Sequence, residues 1–378
     1  MAFPDDGRDL EVGIFIAGEW VDGTTAGNGV RADPGVSIRS GRANWTSKVD
    51  PGRATFTLDN RDGRWSPDNA AGAYAGTLQR NLPCRVGVGH GTPYLTWRGG
   101  SSQQVASTPD AVALDITGDI GMRALFRLHA EPADITADPT GAAIIARKRA
   151  DAATTGWSWI LYLSGGELHT RLAWYDSSNV LQTYDTQDLG QAIPVRYLHD
   201  LCALQMTLDV NDGAADSVWR CYYAAPADIT GPWIELGDGT GASGQGVTDI
   251  GANTADLWVG GMTSTEQSPL EGELLAYELD DGITSPTTVA APDFSAEAVG
   301  TSSFSDGSRT WTVGAGGRIT DQRWRFHGEL ASIVTEWTVD GADVTAPFEA
   351  AGLFRRLRQS DRVESAIRRN IERDAANL

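Results

Sequence analysis

Apolar residues alternate with polar ones in short runs through nearly the whole chain, and Gly, Pro, Asn and Asp break each run. LEVGIFIAGEW (residues 10–20), RATFTLDN (53–60), CRVGVGH (84–90) and LEGELLAYEL (270–279) all repeat with period two. Successive side chains of a strand leave on opposite faces, so this pattern makes half-buried strands rather than helices. The expected fold class is mainly β. At 378 residues, 41% of them hydrophobic, the chain can bury more than one core, so two compact units are expected.

The middle has long Gly-rich polar loops, among them GDGTGASGQG (237–246), between strand-like runs at 111–128, 157–175, 201–212 and 256–261. Short strands with turn signals between them predict a two-sheet β-sandwich, or jelly roll. YLTWRGG (94–100) before this region and RWRFHGELASIVTEWTV (323–339) after it share a texture. They read as neighbouring strands of one small barrel, with the sandwich inserted between them.

Period two gives way after residue 349. Leu353, Phe354 and Leu357 recur at helical spacing, and Val363, Ile367 and Ile371 do so after the capping pair Ser360-Asp361. Short C-terminal α-helices are expected there. They concentrate arginine, at Arg355, Arg356, Arg358, Arg362, Arg368, Arg369 and Arg373. Two readings stand: a solvated face with pairs such as Glu364 and Arg368, or a docking surface for an acidic neighbouring subunit.

The most chemically suggestive stretch is DNRDG, residues 59–63. A calcium loop counted from Asp59 would place Arg61 third and Gly63 fifth, with no acid at the twelfth position, so the metal reading fails. A catalytic pair would need a further acid or His nearby. What remains is a tight turn in which Asp and Asn bond their own backbone and Gly63 takes positive φ. Arg61, Asp62 and Arg64 are then candidates for inter-strand or inter-subunit ion pairs.

The formal charge of -20 disfavours a nucleic-acid partner, since phosphate binding needs clustered Lys and Arg. No apolar run approaches the roughly 20 residues of a membrane helix, and MAFPDDGRDLEVG lacks the basic and apolar regions of a leader, so no membrane insertion and cytoplasmic synthesis are expected. Cys84, Cys202 and Cys221 fit neither a disulfide framework nor a zinc site, and read as buried or idle thiols. The five histidines show no metal-binding spacing, so neither metal nor other cofactor is expected. A retaining glucanase would carry ExDxxE on a strand, but ELDDGI (278–283) places Ile283 where the second glutamate belongs. No enzymatic activity is expected. Sugar binding asks less, and Trp174, Tyr175 and Trp233, which lie beside loops, are the candidate glycan contacts.

SIRSGRANWTSKVDPGRATFTLDNRDGRWSPDNAAGAYAGTLQRNLPCRVGV (37–88) together with RFHGELASIVTEWTVDGADVTAPFEAAGLFRRLRQ (325–359) resembles minor tail proteins of siphophages infecting actinobacteria, in their distal-tail or baseplate-hub β-barrel domain. The middle resembles a concanavalin A-like or laminin G-like sandwich through DITGDIGMRA, MTLDVNDG, LWVGG, LEGELLAYELDDGI and SFSDGSRTWTV. The resemblance implies a split tail-barrel domain over 1–100 and 323–350, an inserted sandwich over 101–322 and a helical segment over 351–378. It implies a structural protein of the tail tip, assembled in the host cytoplasm. Copies would form a ring, hexameric if distal-tail-like and trimeric if hub-like, beside the tail tube, the tape measure and a hub or distal-tail neighbour. The sandwich would be free to touch host-surface glycan, and Arg61, Asp62, Arg64, Arg355, Arg356, Arg368 and Arg369 would lie at subunit contacts. The alternative is a carbohydrate-binding or glycan-active protein whose functional unit is the sandwich.

Overall fold

The computed structural model describes residues 10–23, 29–30, 35–41, 50–97, 102, 104–129, 132, 142–149, 155–194, 200–214, 216–244, 246, 248–261, 269–334, 336–337 and 344–352. In chain order the strands begin β1 (Leu10–Ile16), β2 (Glu19–Asp22), β3 (Ser37–Gly41), β4 (Asp50–Asp59), β5 (Pro83–Trp97), β6 (Ala106–Thr108), β7 (Ile120–Leu128) and β8 (Ala143–Lys148). They continue as β9 (Gly156–Ser164), β10 (Glu167–Tyr175), β11 (Leu181–Asp185), β12 (Leu201–Asp209), β13 (Val218–Ala224), β14 (Trp233–Glu235), β15 (Ala242–Ser243) and β16 (Leu257–Val259). The last are β17 (Gly272–Asp281), β18 (Thr287–Ala290), β19 (Ser303–Ser305), β20 (Thr310–Val313), β21 (Gly317–Ile333), β22 (Glu336–Trp337) and β23 (Val344–Ala351). The chain divides into two compact units, one from Met1–His90 with Gln322–Leu378 and one from Gly91–Asp321.

In the first unit the strand order is β2-β1-β5-β21-β23-β4-β3. The alternation places Val12, Ile14 and Ile16 of β1, Ala54, Phe56 and Leu58 of β4, and Ala346, Phe348 and Ala350 of β23 in one buried core. Phe56 and Phe348 face each other in register and stack at 5.4 Å. On β5, β2 and β21 of the same sheet, the Arg85 guanidinium lies 4.0 Å from the Trp20 ring and 3.8 Å from Trp324, a cation held between two indoles. Among the described residues no pairing joins β2 to β3, so the sheet is open and the expected closed barrel is not formed. Both end strands are short, four and five residues, which leaves little backbone to pair across the gap. Of the helical segment expected over 351–378, Ala351 is instead the last residue of β23 and Gly352 is in no helix, while residues from 353 onward lie outside the described residues.

The second unit is a sandwich. One sheet runs β14-β13-β12-β7-β17, flanked by β15 and β18 and by the end of β5, which pairs at Leu95 with Leu274. The other runs β11-β10-β9-β8-β16-β6-β20-β19. Met122, Ala124 and Phe126 of β7 and Leu204, Met206 and Leu208 of β12 point into a core completed by Trp157, Trp159, Leu172 and Trp174 from the opposite sheet. Tyr184 of β11 stacks on Trp219 of β13 at 6.4 Å, a ring contact between the sheets. Residues 157–175 form a hairpin that turns at Gly165 and Gly166, with φ of 61° and 82°, as a two-residue hairpin turn requires. Cys84, Cys202 and Cys221 are free and buried; burial pushes the Cys84 and Cys221 thiols up to about 12 and Cys202 higher still.

Candidate functional site

The DNRDG turn follows directly from β4. Asp59, buried at the strand end, accepts from the Arg61 backbone N–H at 3.0 Å and from its guanidinium at 2.6 Å. Asp62 repeats the arrangement with Arg64, at 3.1 and 2.5 Å. Arg61, Asp62 and Arg64, candidates for inter-strand or inter-subunit ion pairs, close pairs inside the turn within one chain. A carboxylate that bonds the N–H two residues on already sits beside that residue's side chain. Gly63 has φ of 70°, and a Cβ there would lie 2.4 Å from the Asn69 side chain.

Asn60 is buried as well. Its Oδ1 accepts from the Trp65 N–H at 2.8 Å, and its Nδ2 donates to the Ser66 Oγ at 2.8 Å. This holds Trp65 fully buried, 5.0 Å from Tyr74 and 6.0 Å from Phe348. Asn60→Ala orphans the buried Trp65 N–H and is expected to cost about 2 kcal/mol. Asp62→Ala removes an exposed pair and should stay within about 1 kcal/mol. Urea unfolding of the two variants checks the contrast. The first unit also carries a groove of about 400 Å³ over β4 and β23, lined by Thr55, Thr57, Phe348 and Glu349 among others.

In the sandwich, the three aromatic candidates separate. Trp174 pairs with Trp157 on the inward side of the β9–β10 hairpin and is fully buried against Tyr184, so it offers a ligand no face. Tyr175, next in sequence, points the other way and lies half-buried 5.0 Å under the Arg149 guanidinium. Trp233 is half-buried on β14, opposite Ala224. Arg355, Arg356, Arg368 and Arg369 lie outside the described residues.

One concentration of reachable polar groups was not among the sequence candidates. It lies on the outward face of the β14-β13-β12-β7-β17 sheet. Register aligns Glu235, Tyr222, Gln205, Arg123 and Glu278 in one row across five strands. The next row holds Arg220, Thr207, Gly121 and Asp280. Arg220 bonds Glu235 at 2.7 Å, and Arg123 sits between Glu278 at 3.2 Å and Asp280 at 2.5 Å. The Thr288 hydroxyl reaches the same carboxylates, at 3.2 and 2.7 Å. Burial, and then the nearby Glu235 carboxylate, push the Tyr222 pKa up, so its hydroxyl stays protonated. Chemically the face offers fixed hydrogen-bond donors and acceptors beside an aromatic ring. The local signal was there, as polar residues alternate through Arg123/Arg127 and Gln205/Thr207, but only strand pairing brings them together.

A second polar cluster lies on the outward face of β9–β11. His169 Nδ1 and the Thr186 hydroxyl share a hydrogen bond at 2.9 Å, Tyr162 stacks on the imidazole at 5.6 Å, and Arg171 joins Asp185 at 3.1 Å. Burial lowers the His169 pKa, against the opposing pull of Asp185 and Glu167. A histidine whose folded pKa lies below its unfolded value of about 6.5 resists protonation when folded, so its contribution is full above that pH and is lost as pH falls towards the folded pKa. Wild type is therefore expected to lose more melting temperature between pH 7.5 and 5.5 than His169→Gln, as paired thermal scans would read.

No family model matches the sequence, and no curated protein matches it. Among solved structures the chain is similar to the Botulinum Neurotoxin serotype G binding domain, at 8% identity over 93% of this chain and 94% of that one, with a TM-score of 0.25. It is also similar to a Botulinum Neurotoxin Type G receptor binding domain, at 7% identity over 94% of each, with a TM-score of 0.14. Likenesses this slight carry no argument. The mainly β fold with its two-sheet sandwich stands on the strand pairing itself.

Proposed function

We propose that the chain is a structural minor tail protein of a siphophage-like tail tip, in which copies of the first unit build a ring and the sandwich unit meets host-surface glycan. One observation carries this reading. The sequence-distant motifs of the tail-protein resemblance, PGRATFTLDNRDGR, RNLPCRV, RFHGEL and EAAG, lie together in one compact unit, while those of the laminin G-like resemblance lie in the other. The ring would be hexameric in a distal-tail role and trimeric in a hub role, with tail tube and tape measure as neighbours. Mass spectrometry of purified virions and light scattering of the concentrated protein test it. Presence in virions with a closed oligomer supports the reading. Absence from virions together with a strict monomer overturns it.

The outward polar face of the sandwich favours one second reading, a carbohydrate-binding or glycan-active protein in which this sheet is the working part. Release of reducing sugar from cell-wall polysaccharide, abolished by Glu278→Gln, would establish the active form of that reading.

A further inference from the structure

We propose that the outward face of the β14-β13-β12-β7-β17 sheet binds a neutral oligosaccharide across the strands, over Thr207 and between the Arg220–Glu235 and Arg123–Glu278–Asp280 groups. The inference rests on the reading that the sandwich unit meets glycan, and assigns the place and ligand class that reading lacks.

Three features point to an uncharged polyhydroxyl ligand. The first is charge: each guanidinium is already matched by carboxylate, with Arg123 held between two of them, so an acidic glycan would find no unpaired cation and would have to displace a bonded carboxylate before gaining anything. Water nevertheless reaches these pairs. Side-chain exposure is 21% for both Arg123 and Glu278, and 34% and 25% for Arg220 and Glu235. A guanidinium N–H can donate to one sugar hydroxyl while the carboxylate oxygen beside it accepts from the next, which suits a vicinal diol better than a single charge.

The second feature is relief. Five strands at about 4.8 Å spacing make the row from Glu235 to Glu278 roughly 19 Å long. Its neighbouring row drops at the centre to the half-buried Thr207 and to Gly121, which is buried beside the Asp280 side chain, with longer polar side chains at both ends. The third is the aromatic end. Tyr222 and Trp233 lie half-buried there, on neighbouring strands, with rings suited to the apolar face of a pyranose. The outward face of the opposite sheet differs, because Tyr162 and Ile160 there are almost fully buried.

The test applies the full chain to an array of defined neutral and acidic glycans and titrates the best binder by calorimetry. Gln205→Trp sets a bulky indole beside the low centre, next to Arg123 and Tyr222 in register, and Tyr222→Ala removes the ring. Each is expected to weaken neutral-glycan binding at least tenfold while the wild-type melt is retained; should one variant misfold, the other decides. Neutral-glycan binding that both variants leave intact would overturn this site while leaving the glycan reading in place. Binding confined to acidic glycans would also overturn it. No glycan binding by wild type would overturn both.

Discussion

Trp174→Ala is expected to lower the stability of the sandwich unit by about 3–5 kcal/mol, because it deletes a fully buried indole from a core that cannot collapse around the gap. Trp174 packs 5.7 Å from Tyr184, and Tyr184 in turn stacks on Trp219 of the facing sheet, so the cavity would open within the ring series that joins the layers. For a unit of this size the loss corresponds to a fall in melting temperature on the order of 10 °C. Trp233→Ala truncates a half-buried residue at the start of the three-residue strand β14 and should cost about 1 kcal/mol. Calorimetric melts of the two variants discriminate burial from ligand contact. A Trp174→Ala protein that melted like wild type would contradict the placement of this side chain in the core.

That pair of residues shows what the sequence could and could not convey. The period-two runs correspond to strands β1, β4, β5 and β17, since alternation is a local property and burial of one face follows from it. Which face of a hairpin turns inward is not local. Trp174 and Trp233 both lie near loops, yet pairing with Trp157 carries the first into the core, while pairing with Ala224 sets the second on the outward face. The same limit hid the polar rows. Arg123 and Glu278 meet only because β7 and β17 are neighbours in this register. At residues 59–64 the turn is legible from Asp, Asn and Gly alone, whereas the pairing of its charges within the turn follows from two-residue Asx geometry that the sequence pattern does not display.

Asp306→Ala is the other substitution expected to act strongly, at about 3 kcal/mol. Its Oδ1 accepts from the Ser308 N–H and hydroxyl, both at 2.9 Å, and from the Arg309 N–H at 2.7 Å. Its Oδ2 accepts from the Ala291 N–H at 3.1 Å and the Trp311 indole N–H at 2.9 Å. One carboxylate thus fixes the β19–β20 turn, ties it to the end of β18, and anchors Trp311, which stacks on Phe304 at 6.4 Å. Asn in its place would keep one acceptor but turn an N–H₂ towards other donors, so Asp306→Asn should recover only part of the loss. The carboxylate also sets an acid limit. Burial alone would raise its pKa, but the Trp311 indole and the backbone N–H groups of Ala291, Ser308 and Arg309 outweigh burial and hold it below the ordinary value. A lowered carboxyl pKa gives stability that is present above the unfolded value, near 3.9, and lost as pH falls through the folded one. Urea unfolding at pH 7 and pH 3 should therefore show a smaller gap between wild type and Asp306→Ala at the lower pH. An equal gap at both would mean that the stabilisation comes from the shape of the turn, with no contribution from the ionised carboxylate.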